Sequence, residues 1–569
     1  MSVAEAGETV LIVGGGPVGL TARALLARWG VRTLLVERHG ELSPFPRSRL
    51  VNVRSMEIFR GLGLAGQITA RAFPPEYGRV RFRDTLRDRD FAAAVMAGVH
   101  APVPESPVTG VVTSQDRLEP VLLGAADTPV RFGAELVGLS EERGAVVARL
   151  ADRRSGRQTR LRVPYVLAAD GANSTVRQLL GIGTAGPGAL GKVTTVVFDA
   201  DLDRWCAGQP AGVYFTAHGS FTPLYPEGGW AWFGPTPEDG ARTDWHELVA
   251  RALGPGADVR HQVLRVQHWV MNAFVAERLR QGRVLLAGDA VHAVPVIGGL
   301  GMNAGLADVH NLCWKIAGVL QGWAGPSLLD TYETERQPVA RLTLRQAVAN
   351  AQLLRTAQTR RREQLQAGGD GAQRVELPWS DRYFAQLGLV LGVAYRSTAV
   401  LTDDHTRPEP PADPRVHASS RADADGATDT HPATNPHPAT NPHPAPEAHS
   451  DAGAVPGMEA LPATDYVPTP QPGHRMPHLP LTPGRSTLDA LGEWFTLFTP
   501  DTAAWAPRAA SPWPLRAEAL PQGSAEGLGL GPGGALLVRP DGHIAARWTD
   551  GPPAPAALFE ALAALNGRP

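Results

Sequence analysis

The sequence predicts an α/β protein, and three features support that class. Near the N-terminus an apolar run, Thr9 to Val13, leads through glycines into a helix that stops at Gly30, and a second strand, Thr33 to Val36, follows. Between residues 190 and 275, apolar and polar residues alternate in short runs, which is typical of an antiparallel sheet with one buried face. The last hundred residues again alternate strand and helix patterns. We therefore predict a parallel α/β sheet with an inserted antiparallel sheet and a separate C-terminal unit.

The turn after the first strand carries the dinucleotide-binding fingerprint of a Rossmann-type fold. Gly14, Gly16 and Gly19 stand in the spacing GxGxxG, and the next strand closes on Glu37. In this motif the first glycine permits the turn, the second lets backbone approach a pyrophosphate, and the third allows close helix–strand packing. Because both strands and the acid are in place, we predict nucleotide binding, with Glu37 accepting hydrogen bonds from the adenosine ribose.

Residues 282 to 315 form a second motif, GRVLLAGDAVHAVPVIGGLGMNAGLADVHNLCWK. Its apolar strand ends on Gly288-Asp289, where the carboxylate can accept hydrogen bonds from ligand hydroxyls. A glycine-rich loop with Pro295 follows, and a helix is predicted from about Met302. Its unpaired N–H groups and its dipole suit a ring that becomes anionic, as an isoalloxazine does on reduction. The alternative is an ordinary glycine-rich turn between a strand and a helix.

Four other positions are candidates for ligand contact. Arg47 is predicted to reach a phosphate or a nicotinamide, whereas Arg54 either lies near a flavin or pairs with a neighbouring acid. Gln115 stands where a helix starts and either binds a ligand or caps that helix. Asp170 follows a buried strand beside another helix start, which is a second place for the polar groups of a ligand.

Composition bounds the function. The 54 basic and 56 acidic residues give a net charge of −2, so no basic field indicates nucleic acid or an anionic membrane. The two cysteines, Cys206 and Cys313, lie far apart without metal-type spacing, which argues against a disulfide framework and a zinc site. No signal peptide and no apolar run long enough for a membrane span is evident. We expect a cytoplasmic protein that binds no metal.

The predicted domains are interleaved. Residues 1–77, 106–189 and 276–402 form the nucleotide-binding domain, and residues 78–105 and 190–275 form the inserted sheet domain. Residues 403–470, with the repeat HPATNPHPATNPHP, are predicted to be a disordered linker, and residues 471–569 form the C-terminal domain. Aromatic residues of the inserted sheet either line a substrate pocket or pack its core: Tyr214, Phe221, Tyr225, Trp230, Trp232 and Phe233.

Together these motifs resemble the class A flavoprotein monooxygenases of the para-hydroxybenzoate hydroxylase type, over roughly residues 8 to 400. A hairpin from Leu536 to Trp548 is predicted to turn at Pro540-Asp541-Gly542. The C-terminal part, with Pro477-His478-Leu479 and this hairpin, resembles the thioredoxin-like domain of phenol hydroxylase and the aromatic polyketide hydroxylases. That domain has no cysteine here, so a structural or dimer-contact role is implied rather than thiol chemistry. One departure is Val296, where the family often has a second proline.

The resemblance implies FAD as cofactor, with NADPH or NADH visiting transiently because only one dinucleotide fingerprint is present. It implies hydroxylation of a phenolic or polycyclic, polyketide-like substrate by O₂ through a flavin C4a-hydroperoxide. Candidate catalytic residues are Arg47, Pro295, Tyr214 and Tyr225, with His218 as a further possible base. The residues implied in FAD binding are Gly14, Gly16, Pro17, Gly19, Glu37, Arg38, Arg47, Gln115, Asp170, Asp289, Gly301, Met302 and Asn303.

Three alternatives to the hydroxylase were weighed. A Baeyer–Villiger oxygenase would use the same scaffold. A flavin halogenase is disfavoured, because Trp230-Ala231-Trp232 is followed by Phe233-Gly234-Pro235 instead of completing the WxWxIP motif, and no lysine precedes Lys192. A flavin-binding protein without turnover is the third alternative, and the intact Asp170 and Asp289 argue against it.

Overall fold

A computed structural model provides the three-dimensional structure of the chain. It describes residues 9–238, 242–256, 259–368, 374–377, 386–401, 465–505, 511–552, 554 and 556–567, together with the backbone of 3–5. Most of the predicted linker, residues 403 to 464, lies outside the described residues.

A six-stranded sheet forms the centre of the nucleotide-binding part. Five of its strands run parallel, and the sixth pairs antiparallel at one edge. Val10–Val13 and Thr33–Glu37 each lie between two other strands and are almost entirely buried, which explains their unbroken apolar runs. Across the sheet the order is Arg280–Gln281, Val284–Leu286, Val166–Ala168, Val10–Val13, Thr33–Glu37 and Val130–Phe132.

The predicted ligand residues follow the carboxyl ends of these parallel strands. Because parallel strands end at one edge of a sheet, ligands bind in the crevice that forms there. The helices Pro17–Arg28 and Leu300–Leu320 both begin near this edge and pack against each other. The motif residues that follow successive strands are Gly14, Glu37, Asp170 and Asp289.

The helices that the sequence predicted here are present to within a few residues, whereas Ala65–Thr69, Asp203–Cys206, Trp245–Leu253 and Leu387–Val390 were not predicted. The helix expected from about Met302 begins at Leu300, after Gly299 with φ = +64°. The α-helices are Pro17–Arg28, Val53–Gly61, Ala65–Thr69, Gln115–Leu123, Thr175–Leu179, Asp203–Cys206, Trp245–Leu253, Leu300–Leu320, Asp330–Gln366 and Leu387–Val390. Short 3₁₀ turns lie at Pro75–Tyr77, Gly288–Ala290 and Pro326–Leu329.

The inserted part is an eight-stranded sheet. Its pairs are antiparallel, except that Val213–Thr216 runs parallel to Arg79–Phe82. The helix Trp245–Leu253 covers one face of it. The strand order is His292–Ala293, His261–Ala276, Thr184–Ala200, Gly228–Pro235, Gly219–Tyr225, Val213–Thr216, Arg79–Phe82 and Ala92–Val95.

Two smaller sheets complete the N-terminal two thirds. The alternation after residue 130 produces an antiparallel meander, whose outer strand pairs in parallel with Val3–Glu5. A two-stranded sheet pairs Leu50–Val51 with Val111–Val112. The meander strands are Ala134–Glu142, Ala145–Asp152 and Gln158–Val163. The discontinuous division into domains that we predicted stays a proposal.

The C-terminal part has the strand order and directions of a thioredoxin-like fold. Phe495–Thr499 pairs in parallel with Leu515–Ala519 and antiparallel with Ala535–Val538, which continues into Ile544–Trp548 through the predicted turn. Its helices are Thr502–Trp505, Gln522–Gly527 and Ala557–Leu565, with a 3₁₀ turn at Thr487–Ala490 and a small ribbon of Pro480–Thr482 with Arg485–Ser486. The predicted fold class, an α/β fold with these three parts, is confirmed.

Buried ion pairs join the C-terminal part to the rest of the chain. Arg539 donates to both carboxylate oxygens of Glu335, at 2.6 and 2.9 Å, and its Nε donates to Asp541 at 3.1 Å. Arg475 makes a second buried pair with Glu57, which Arg54 also contacts. These side chains are almost fully removed from solvent, so the contact is part of the core rather than a surface association.

Within the ranges that the structure describes, no helix combines the length and the apolar character needed to cross a bilayer. The cytoplasmic location stays a prediction.

Candidate cofactor and active site

The glycine turn after the first parallel strand leaves room for a ligand phosphate. Gly14 has φ = +108°, and a Cβ atom there would lie 2.3 Å from the carbonyl oxygen of Ala169. A Cβ atom at Gly19 would lie 2.0 Å from the carbonyl oxygen of Gly14, so both positions require glycine. At Gly16 a Cβ atom would meet no described atom within 4 Å. Gly16 therefore faces open space before a helix N-terminus, which is a natural position for a pyrophosphate.

Glu37 closes the same turn from the neighbouring strand. Its Oε2 accepts a hydrogen bond from the backbone N–H of Gly15 at 2.7 Å, and its Oε1 accepts one from the backbone N–H of His39 at 2.8 Å. Nδ1 of His39 also lies 2.6 Å from Oε1, so Oε2 is the oxygen that keeps a second lone pair for a ligand hydroxyl. The side chain is thus fixed in the orientation that the predicted ribose contact requires.

A cleft of about 960 Å³ extends from this turn along the carboxyl edge of the sheet. A volume of this size suits a dinucleotide-sized ligand. The sequence-predicted residues that line it are Gly14, Gly16, Glu37, Arg38, Arg47, Gln115 and Asp170. The structure therefore brings these seven predicted residues together in one cleft, and they fit an adenine dinucleotide.

Gln115 is held in the cleft by a buried carboxyl. Its Nε2 donates to Oε1 of Glu119 at 2.7 Å, and Glu119 is only 1% exposed. Burial raises the pKa of Glu119 to about 7, although the hydrogen bond from Gln115 and the charge of Arg47 act in the opposite direction. Glu119 thus changes its charge near neutral pH directly beside the cleft. Sequence reasoning gave it no role, because nothing in the sequence showed that it is buried.

We expect Glu119→Gln to remove part of the pH dependence of stability. Folding raises the pKa of this carboxyl, so its stabilising contribution is fully present below its ordinary pKa of 4.5 and is lost as the pH rises through about 7. Between about pH 4 and about pH 8, the parent protein should lose about 1 to 3 kcal/mol of unfolding free energy relative to the variant. Urea denaturation of both holoproteins at several pH values measures the difference. Glu41→Gln, at an exposed position of the same cleft, is the control, and parallel pH profiles for Glu119→Gln and the parent would contradict the prediction.

Asp170 shapes the cleft more than it offers free acceptors. Its Oδ1 accepts from the hydroxyl of Ser174 at 2.5 Å, and its Oδ2 accepts from the backbone N–H of Val176 at 3.0 Å. Burial raises its pKa, while these two hydrogen bonds lower it. The predicted role of Asp170 in FAD and nicotinamide binding would therefore be indirect, through the loop that its carboxylate holds in place.

Asp289 points into open space, as a ligand-binding carboxylate should. Loss of solvation by the surrounding protein raises its pKa, His292 and Arg47 lower it, and Asp308 raises it. The charge of Arg47 acts on both Asp289 and Glu119, so this arginine lies between the second motif and the cleft of the first.

A buried ion-pair chain supports the Gly288-Asp289 turn. Asp308 accepts from the backbone N–H of Gly288 at 3.1 Å, contacts Nε2 of His292 at 2.8 Å and accepts from Nε of Arg336 at 2.8 Å. Burial alone would raise the pKa of Asp308, but Arg336 and His292 lower it to about 2. Sequence reasoning missed this support, although Asp308 lies within the second motif.

The predicted helix start is tied to the segment after Arg47. Asn303 donates through Nδ2 to the carbonyl oxygens of Leu50 and Gly299, at 2.8 and 2.7 Å, and accepts from Asn52 and Ser55 at 2.9 and 2.7 Å. Its side chain is therefore fully engaged in the protein, and its predicted ligand contact is restricted to the backbone. Gly301 and Met302 remain partly exposed at the helix N-terminus.

The loop between the Gly288-Asp289 turn and the helix that begins at Leu300 contains Pro295, one of the predicted catalytic residues. Pro295 is buried, whereas Val296, which stands in place of the second proline, is 43% exposed. Ile297 packs with Phe73, Phe82 and Phe215 in an apolar cluster under the inserted sheet. We call this cluster the aromatic wall.

Two predicted catalytic residues have hydroxyl groups that are engaged in protein contacts. Tyr214 is completely buried under the helix on the far face of the sheet, where its hydroxyl donates to the carbonyl oxygen of Gln209 at 2.9 Å. Tyr225 donates to Oδ2 of Asp116 at 2.5 Å. Burial raises the pKa of Tyr225 to about 12, and the pKa of Tyr214 further still. Neither is therefore retained as a catalytic base, and His218, on an exposed turn, has no contact that supports that role.

Most aromatic residues singled out in the inserted sheet form its core. Tyr214, Phe221, Trp230 and Trp232 are buried in one cluster with the covering helix. The alternative of core packing is therefore correct for these four. Phe73, Phe82 and Phe215, which form the aromatic wall on the opposite face, were not singled out.

Arg54 is likewise explained by protein contacts. It donates to Glu57 at 2.9 Å and to the carbonyl oxygen of Asp541 in the C-terminal part at 2.7 Å. The pairing alternative is the one observed.

Comparison with known proteins decides the family. Residues 8–347 match the FAD binding domain family, and residues 469–569 match the aromatic-ring hydroxylase C-terminal family. The chain belongs to the FAD-dependent aromatic-ring hydroxylases. It is therefore an FAD-dependent monooxygenase, as the motifs predicted.

Individual relatives agree over nearly the whole chain. Aklavinone 12-hydroxylase RdmE of Streptomyces purpurascens is 33% identical, over 95% of this chain and 95% of its own. The 4-methyl-5-nitrocatechol 5-monooxygenase of a Burkholderia species is 33% identical over 98% and 97%. The crystal structure of the flavin-dependent monooxygenase PieE with FAD and substrate superposes with a TM-score of 0.81 at 31% identity. The crystal structure of aklavinone-11 hydroxylase with FAD and aklavinone superposes with a TM-score of 0.76, also at 31% identity. Each comparison covers 100% of both chains.

Proposed function

We propose that this enzyme hydroxylates a phenolic polycyclic aromatic compound, with NADPH or NADH as a transient reductant and O₂ as the oxygen source. The observation that carries the proposal is the position of Ile297, which joins the loop after Asp289 to the aromatic wall. The rings of this wall are packed in the apolar core, and apolar aromatic packing beside the predicted flavin site suits a planar aromatic substrate. The aklavinone hydroxylases among the relatives support a polycyclic, polyketide-like compound.

The residues of the chain divide between binding and positioning. Gly14, Gly16 and Glu37 would hold the ADP end of FAD, and Asp289 would accept from its ribityl hydroxyls. The first N–H groups of the helix Leu300–Leu320 would stabilise negative charge on the ring. Arg47 would offset the negative charges of Asp289 and of the phosphates of a visiting nicotinamide dinucleotide. When bound, FAD supplies the two-electron chemistry and the activation of O₂.

The protein's own contribution is to shield the reacting ring and to hold it. The aromatic wall is at least nine-tenths buried, so it excludes water from that side of the site. The segment between Arg47 and Asn52 is fixed to the helix start by Asn303, which keeps the substrate side and the flavin side in register.

A homodimer that uses the C-terminal part belongs to the same proposal, and sedimentation of the holoenzyme tests it.

Stopped-flow absorbance of the bound flavin tests the proposed reaction. We expect reduction by NADPH or NADH to accelerate on the order of tenfold or more when a suitable polycyclic phenol is added, because the substrate completes the site. Aklavinone is the first compound of the panel, and the product made under ¹⁸O₂ should carry one labelled hydroxyl on an intact ring.

Other outcomes select the alternatives. A ring-expanded lactone with one labelled oxygen would identify a Baeyer–Villiger oxygenase. If the protein binds FAD but neither NADPH nor NADH reduces it, whichever phenol is added, the protein is a flavin-binding protein without turnover. Fast reduction that no phenol affects would contradict substrate gating.

A further inference from the structure

Arg49 is a half-buried cation with two buried donor nitrogens that are open. It lies two residues after Arg47, its Nη1 donates to the carbonyl oxygen of Gly212 at 3.0 Å, and its guanidinium carbon lies 5.2 Å from the centre of the Phe73 ring. Its Nε and Nη2 are shut off from solvent, and neither has a hydrogen-bond partner among the residues that the structure describes. Burial lowers the pKa of Arg49 to about 9. A guanidinium in this state is costly unless something else satisfies it.

Asp116 presents the opposite deficiency close by, since the backbone N–H of Thr113, three residues before it, donates to the carbonyl oxygen of Arg49 at 2.9 Å. Its Oδ2 accepts from the Tyr225 hydroxyl, but its Oδ1 is buried with no partner in the described part of the chain. Of the acidic groups that act on Arg49, Asp116 acts most strongly. No direct ion pair within 4.0 Å joins the two side chains in the ranges described. Its place in the first turn of the helix Gln115–Leu123 accounts for an acid here, but not for the open oxygen.

An occupant between these two side chains would have to both accept and donate. Arg49 offers two N–H donors and no acceptor, whereas Asp116 offers an acceptor only. A hydroxyl group meets both requirements, since its oxygen accepts from Arg49 while its hydrogen is donated to Asp116. A methyl ether or an unsubstituted ring carbon meets at most one of them.

The position of the pair connects it to the proposed reaction. Gln115, the neighbour of Asp116, lines the cofactor cleft, and Phe73, beneath the Arg49 guanidinium, belongs to the aromatic wall. Arg49 and Asp116 thus lie between the cofactor cleft and the aromatic wall, beside which a planar substrate would be held.

We propose that Arg49 and Asp116 form the subsite that binds a free hydroxyl of the aromatic substrate, the arginine donating to its oxygen and the aspartate accepting its hydrogen. This inference rests on the proposed function and narrows it to substrates with an unmethylated hydroxyl at the bound position. It also assigns the two residues a share in substrate selection that is separate from holding FAD.

The test uses the holoenzyme with aklavinone and with the methyl ethers of its phenolic hydroxyls as probes. Dissociation constants come from quenching of flavin fluorescence, and rates of flavin reduction by NADPH from stopped flow. Arg49→Met and Asp116→Asn should each weaken aklavinone binding by about 10- to 100-fold, because each leaves one partner of a charged hydrogen bond unpaired. One methyl ether should bind the parent enzyme weakly and should be affected by the two variants by no more than about twofold.

Controls separate this role from a structural one. Asp116→Asn keeps the shape of the side chain, and Arg49→Lys keeps its charge but not its two-pronged geometry, so at least one variant should retain full FAD content. Arg251→Met removes an exposed arginine of the inserted sheet domain and should leave aklavinone binding unchanged.

Two outcomes would overturn the inference in distinguishable ways. If the parent enzyme binds aklavinone and the folded variants bind it with constants within about twofold of the parent, a water molecule fills the subsite and the inference is wrong. If no phenol of the panel binds or accelerates flavin reduction in the parent enzyme, the proposed function fails first and the inference falls with it.

Discussion

Gly16→Ala is expected to weaken FAD binding on the order of 100-fold while leaving the protein without FAD folded. A Cβ atom at this position meets no described atom within 4 Å, so the protein itself has room for it. The methyl group would instead occupy the space in front of the helix N-terminus, where the pyrophosphate must approach the backbone. Titration of the FAD-free protein with FAD, followed by flavin fluorescence, measures the change.

Two other glycines make this result specific. Gly19→Ala places Cβ 2.0 Å from the carbonyl oxygen of Gly14, so it should destabilise the turn as well as prevent FAD binding. Gly66→Ala, in the helix Ala65–Thr69 and also with open space around its Cβ, should change neither stability nor FAD affinity appreciably. Undiminished FAD affinity in Gly16→Ala would show that the cofactor does not approach this turn.

The sequence predicted which glycine and acidic residues line the cleft because the motifs that contain them are local. A strand, a glycine turn and a helix occupy a few consecutive residues, so the positions of Gly14 and Glu37 follow from chain connectivity. Asp170 and Asp289 were each predicted to follow a buried strand, and the parallel pairing of those two strands brings both to one edge of the sheet.

The substrate side could not be predicted in the same way. Tyr214 and Phe215 are adjacent in one strand and point to opposite faces of the sheet. Both faces are apolar, so alternation did not reveal which of them the helix Trp245–Leu253 would cover. The roles of Asn303 and Arg54 depend on contacts with residues about 250 and 490 positions away, which no local pattern records.

The C-terminal part illustrates the same limit. Its hairpin and the turn at Pro540-Asp541-Gly542 were predicted from turn chemistry. The contact of Arg539 and Asp541 with Glu335 and Lys315 in a common core was not predicted. Charged residues are seldom fully buried, so their composition gave no reason to expect four of them together in a core.

Arg539→Met is expected to destabilise the folded protein by about 3 to 5 kcal/mol, since it leaves two buried carboxylates short of their main partner. Burial alone would raise the pKa values of Glu335 and Asp541, but Arg539 holds the pKa of each below its ordinary value. Among the described residues, Lys315 is then the cation that remains in contact with Glu335, at 2.7 Å. Urea denaturation of the holoenzyme, followed by tryptophan fluorescence, reports the loss through Trp314 and Trp548 in the shared core.

The pH dependence of this loss provides an independent check. Because folding lowers the pKa of Glu335 and of Asp541, their stabilising contribution is present above the ordinary values of 4.5 and 3.8 and is lost as the pH falls below them. The difference between the parent and Arg539→Met should therefore be largest at neutral pH and should narrow in acid. Arg485→Met is the matched control, since it removes an exposed arginine of the same domain from its pair with Glu518 and should cost less than about 1 kcal/mol. Equal losses for the two variants, or a difference that does not depend on pH, would mean that the C-terminal domain is held by its apolar contacts alone.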